Sequence, residues 1–301
     1  MAHTDHRDRT LRTARRRLRR EVPSTVGLLA DERDFTAMRG YRTFTFDDHS
    51  AYLRQVEALL RSLAARGGHT TVALFDPEEY AEYCAEEGLA PDSAESRSRF
   101  TAVIPVTGAA VAYTGQPIDA LIPLLINTAV RRATWEYATM LLADLGECAD
   151  CGQDIGREAF ERASELLPRL IEGAGPGAHH LVCSVTAADE QLMAVLHTTA
   201  GPSGTPARLG TSEGAEFVTV LAAGIALESA GGVVLRTTAP GTPDRLHGWR
   251  LRHGALTPLT VGEVFSAYCT DADTGEPLSP EPGVEYCAGF DLGPADTGTH
   301  H

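Results

Sequence analysis

Cys148 and Cys151 stand two residues apart in the stretch GECADCGQD, residues 146–154. Thiols at that spacing can form half of a zinc site, act as a redox pair, or sit unrelated in a connector. A structural zinc ion takes four thiolate or imidazole ligands, usually from two close pairs. This chain has one close pair and four scattered cysteines, Cys84, Cys183, Cys269 and Cys287. A redox pair of the thioredoxin kind lies where a strand feeds a helix, whose dipole lowers the thiol pKa. Here a helical pattern precedes the pair, and Asp150 lies between the thiols, where its charge opposes thiolate formation. The reading adopted is two connector thiols, with no metal and no cofactor. The alternative is zinc held by Cys148, Cys151 and either Cys183 or Cys84. A helix over 154–172 rises roughly 27 Å, and a returning strand covers that in about eight residues. Cys183 then comes back towards the pair, with Cys269 or Cys287 as an unassigned fourth ligand.

Cys84-Ala85-Glu86 and Cys148-Ala149-Asp150-Cys151 together resemble the two motifs of zinc-dependent cytidine deaminases. The resemblance implies Cys84, Cys148 and Cys151 as zinc ligands and Glu86 as the proton-shuttling acid. It covers seven residues, and Glu147 stands where that family has a proline.

Two further clusters carry carboxylates. Asp47-Asp48-His49 precedes a helical pattern, where such residues cap the helix and meet its dipole. Asp271-Ala-Asp-Thr-Gly275 echoes a calcium loop but lacks its third acid and terminal Glu, and reads as a turn. No Walker loop, GxGxxG, GxSxG or HExxH occurs, which removes the easily recognised nucleotide, hydrolase and zincin classes.

The elements that position these residues follow from periodicity and capping signals. Residues 50–66 have helical spacing and stop at Gly67-Gly68, and 69–75 reads as a strand. Asp76-Pro77-Glu-Glu is an N-cap, a proline at the first helical position and two acids in the first turn. A short helix over 93–103, a short strand near 109–113 and a long helix over 117–145 complete a helix-rich unit with roughly two strands. From Gly152 the order becomes α-β-β-α-β-β-α. The helices are 154–172 (interrupted at Pro168), 213–229 and 260–268; the strands are 178–186, 191–198, 232–238 and 247–253. Helix 213–229 has no polar face and should lie buried against an antiparallel sheet. Alternation on both sides of the first hairpin sets Leu181, Cys183 and Val185 on the core face with Leu196, Ala194 and Leu192. His180 must then face His197 on the other side.

The fold class expected is α+β: a helix-rich N-terminal unit with a small sheet (23–146), then an antiparallel-sheet unit (147–301). A basic arm, 1–22, precedes them. All 26 basic residues are arginine, as coding from a GC-rich, bacterial genome produces. Eight of them fall in residues 1–20 against two acids, so the remainder carries −21 from a total of −15. A body that acidic repels polyanions over most of its surface. Leu11, Ala14, Leu18 and Val22 recur at helical steps among Arg12, Arg15, Arg16, Arg17, Arg19 and Arg20, which makes this arm the candidate binding element. Its expected partner is a protein or a second copy of the chain. Nucleic acid is reachable through residues 1–20 only. No apolar signal segment is visible, and the longest apolar run, 217–227, is too short to span a bilayer. The expectation is a cytoplasmic, non-enzymatic interaction or regulatory protein acting through protein contacts. The alternative is a zinc-dependent hydrolase or deaminase-like enzyme built on Cys148 and Cys151.

Overall fold

The computed structural model describes residues 24–149, 151–187, 190–200, 211–271 and 274–293. The basic stretch 1–20, with Arg12, Arg15, Arg16, Arg17, Arg19 and Arg20, lies outside them. Among the described residues there are eight helices and two mixed sheets, an α+β architecture. Contacts divide the chain into two compact units after Arg132.

In the first unit, β1 (Ser24–Leu28) pairs in parallel with β2 (Thr70–Leu74), from Ser24 opposite Thr70 to Leu28 opposite Leu74. A third strand, β3 (Ala110–Ala112), pairs antiparallel with β2. Parallel neighbours need a long crossover, here built from α1 (Glu32–Met38) and α2 (His49–Ala65). Then α3 (Pro77–Glu86) and α4 (Ala94–Thr107) lead to β3. Each of these four helices is opened by a side chain that accepts backbone N–H groups: Asp31, Asp48, Asp76 and Ser93. The core gathers Leu28, Phe35, Leu60, Val72, Tyr80, Leu121 and Leu125, all nearly inaccessible. Strand β1 and helix α1 were not anticipated, so the sheet has three strands where two were expected.

Helix α5 (Ile118–Asp144) contributes Leu121 and Leu125 to the first core, and Ala138 and Leu142 to the second. In the second unit, α6 (Ile155–Ala174) runs unbroken through Pro168, a correction to the interruption expected there. Pro168 lies on the exposed side, while the buried stripe Ala163, Leu166, Leu167 and Leu170 continues past it.

The second sheet holds β4 (Gly177–Ala187), β5 (Glu190–Ala200), β6 (Gly231–Thr238) and β7 (Asp244–Arg252), in the order β5-β4-β6-β7. The β4–β5 register sets His180 opposite His197 and Leu181 opposite Leu196, as the alternation requires. Two short strands missed in the sequence, β8 (Ala255–Pro258) and β9 (Val284–Tyr286), pair with different ends of β7. The inner face packs on α6 and on α7 (Thr211–Ala226), whose Phe217, Val218 and Val220–Ala223 are all buried. Helix α8 (Val261–Tyr268) opens with the capping box Thr260/Glu263 and lies over the other face of β7, with Val264 beside Gly248. Among the described residues no helix is long and apolar enough to cross a membrane.

Candidate functional site

Among the described residues, no three His, Cys, Asp or Glu side chains gather closely enough to hold a metal ion. Cys84 is buried in α3, whereas Glu86, two residues on, is exposed. At about 100° per residue the two point to different sides of the helix. Cys148 and Cys151 occupy a tight loop between α5 and α6. The Cys148 N–H donates to the Gln153 carbonyl at 2.7 Å, and the Gly152 N–H to the Cys148 carbonyl at 2.8 Å. Cys148 is half-buried and Cys151 exposed. Cys183 lies in the second core, where burial pushes its thiol up to about 12. Asp48 accepts the Ala51 N–H and caps α2, and the His49 ring sits 3.0 Å from the Leu29 carbonyl. Asp271 accepts the Thr274 N–H and hydroxyl, which fixes a turn.

His180 and His197 stack on the outer face of the second sheet, over a hollow of about 290 Å³ that Thr199 and Thr238 also line. The row is charged at both ends. Glu213 accepts the His197 backbone N–H at 3.1 Å, and its carboxylate lies 3.7 Å from the His197 Nδ1. Arg236, opposite His180 on β6, donates Nε to Asp244 at 2.7 Å and both Nη groups to Glu281 at 3.0 and 2.8 Å. Partial burial, then His197 and Arg236, lower the His180 pKa. His179 points the opposite way, into the sheet's inner side, where its Nδ1 lies 3.0 Å from the Thr237 hydroxyl and its buried Nε2 has no well-formed hydrogen bond among the described residues. Burial lowers its pKa first and Arg245 adds to that, with the Gly175 carbonyl pulling the other way.

The more concave site was not read from the sequence. It lies in the first unit, a cavity of about 220 Å³ beyond the carboxyl ends of β1 and β2. Ligands favour that edge of a parallel pair, because the loops leaving the strands diverge there. Gly27 of β1, Leu29 just after β1 and Phe75 after β2 line it, with Met38 of α1, Tyr52 of α2, and Arg97 and Thr101 of α4. The segment Thr43-Phe44-Thr45-Phe46 between α1 and α2 lines it as well. This segment is pinned by Asp92, whose Oδ1 accepts both the N–H and the hydroxyl of Thr43 at 2.8 Å. Those bonds hold the Asp92 carboxyl below the usual carboxylate range.

Most polar atoms around the cavity are already engaged. The Tyr52 hydroxyl accepts the Leu29 N–H at 3.1 Å and lies 3.4 Å from the Gly27 carbonyl; burial pushes its pKa up to about 12. Thr101 donates to the Arg97 carbonyl within α4. Arg97 donates Nη1 to the Thr43 hydroxyl at 3.0 Å and Nη2 to the Thr43 carbonyl at 3.3 Å. A guanidinium carries five N–H donors, so among the described residues three remain. Gly27 keeps the space open: a Cβ there would come within 2.9 Å of the Phe75 ring and 3.2 Å of the Thr101 hydroxyl.

Residues 13–116 match a family model described as a domain of unknown function, DUF8829. The match covers about a third of the chain and contains every residue that lines this cavity. No curated protein and no solved structure matches the chain.

Proposed function

We propose that the chain is a non-enzymatic regulatory protein that works by binding, and that its first unit receives a small molecule at the carboxyl ends of β1 and β2. One observation carries this reading. The cavity is walled by Phe44, Phe46, Tyr52, Phe75 and Met38, and Arg97 brings uncommitted donors to it. Concave, mostly apolar sites with a few placed polar groups are the usual form of small-molecule sites. The lining favours binding over catalysis. Tyr52 keeps its proton to about 12, so it does not exchange a proton near neutrality.

The arginine-rich stretch 1–20, outside the described residues, remains the proposed contact element towards a protein partner or a second copy. That part rests on its charge against −21 in the rest of the chain. A cytoplasmic location is proposed with it, from six sparse cysteines that all stand as free thiols.

The test is a thermal-shift screen of the full chain against a library of small-molecule fragments. Ligands that bind only the native state raise the melting temperature by mass action. The reading predicts stabilising fragments whose effect disappears in Thr101→Leu, which fills the cavity. A screen with no stabilising fragment, or with fragments indifferent to Thr101→Leu, contradicts it.

A further inference from the structure

We infer that the cavity takes a small planar monocarboxylate with a flat apolar body, the carboxylate held by Arg97. The inference rests on the binding reading above and names its ligand class.

Three features of the cavity lead to it. Arg97 is half-buried, its two hydrogen bonds both go to Thr43, and it forms no ion pair among the described residues. Asp92, the acid that pins the segment 43–46, serves Thr43 and Arg42 instead. A partly desolvated guanidinium with spare donors favours a planar anion, because two parallel N–H groups match the two oxygens of a carboxylate. Among the described residues Arg97 is the one cation in the lining, so a single negative charge balances it, whereas a phosphate dianion would be left half-neutralised. The apolar part of the lining is Leu29, Met38, Phe44, Phe46 and Phe75, with Thr43, Thr45, Thr101 and Tyr52 adding neutral hydroxyls. A cavity near 150 Å³ holds a benzene ring, and about 220 Å³ leaves room for a ring and a carboxylate.

Benzoate and benzamide separate the charge from the shape. Titration calorimetry of the full chain should show benzoate binding at one site and benzamide binding roughly tenfold more weakly, since a charge-assisted bond outweighs a neutral one. Arg97→Gln should weaken benzoate roughly tenfold or more and weaken benzamide much less. Arg99→Gln, which loses only an exposed pair with Glu95, should leave both unchanged. Thr101→Leu and Gly27→Ala occupy the cavity in two independent ways, and whichever variant folds should lose both probes. Benzamide binding as tightly as benzoate, or benzoate indifferent to Arg97→Gln, overturns the carboxylate while the cavity reading stands. Absence of benzoate binding overturns it too; the cavity reading then survives only if other fragments bind and Thr101→Leu abolishes them. Both probes binding undiminished to the filled variants would sink the site itself.

Discussion

His180 and His197 face one another across the β4–β5 hairpin, ring centroids 4.6 Å apart and planes 11° from parallel. With Arg236 opposite His180 on the next strand, a proton on His180 meets positive charge on both sides whenever His197 is charged. His179 on the inner face is also held below its ordinary value. The unfolded chain binds protons as pH falls through 6.5, before the folded one does. The stability these two residues contribute is therefore complete above pH 6.5 and is lost on acidification towards their lowered folded values. Melting temperature should be flat from pH 8 to 7 and decline from 6.5 to 5, with a shallower decline in His179→Gln. Asp92, Asp244, Glu263 and Glu281 are held below their ordinary values of 3.8 and 4.5, so their losses begin at lower pH. A melting temperature that holds steady or rises between pH 6.5 and 5 would refute the assignment.

Gly224 lets α7 lie against the sheet. A Cβ there would come within 2.5 Å of Val185 Cγ1 and 2.6 Å of Leu251 Cδ2. Gly224→Ala should cost about 1–3 kcal/mol, the usual penalty for overpacking. Gly214, on the same helix, has open space around it, and Gly214→Ala should gain up to about 1 kcal/mol of helix propensity. Urea midpoints of the two variants should move in opposite directions. Equal shifts would mean that α7 does not pack as described.

The hairpin and α7 were legible because one residue type carried both local and tertiary information. In residues 181–196 the alternation of Leu, Cys and Val with polar neighbours leaves one register that buries a face. Asp76-Pro77 marks the start of α3 by capping chemistry alone. The cavity was not legible, since its lining comes from separate segments brought together by a parallel pairing across 46 residues, Ser24 with Thr70. In β1, Gly27 interrupts the strand pattern in the sequence, yet that same glycine holds the cavity open. Strands β8 and β9 have four and three residues; their pairing with β7 is tertiary and leaves no periodic trace.

Arg236 ties the segment before β9 to the sheet through its fork on Glu281. Lysine keeps the charge but cannot form two parallel bonds. In Arg236→Lys the half-exposed pair should lose about 1 kcal/mol or less, with faster amide exchange confined to residues 279–286. Exchange there as slow as in the unaltered protein would show that the fork does not hold the segment.

The thiols should separate by burial. Cys151 should react with a thiol reagent in the native protein, while Cys183 should react only on unfolding. Elemental analysis of the native protein should find no tightly bound zinc. One equivalent, lost in Cys148→Ser, would revive the metal alternative.

Met38 lines the cavity of the first unit, whereas Met140 and Met193 are about half-exposed in the second. Labelling the methionine methyl groups for NMR therefore places one reporter in the lining and, besides Met1, two controls that do not line it. On titration with benzoate, the Met38 methyl resonance should shift saturably while Met140 and Met193 stay in place. A Met38 resonance unmoved at saturating benzoate, or three resonances moving together, would contradict binding at the carboxyl ends of β1 and β2.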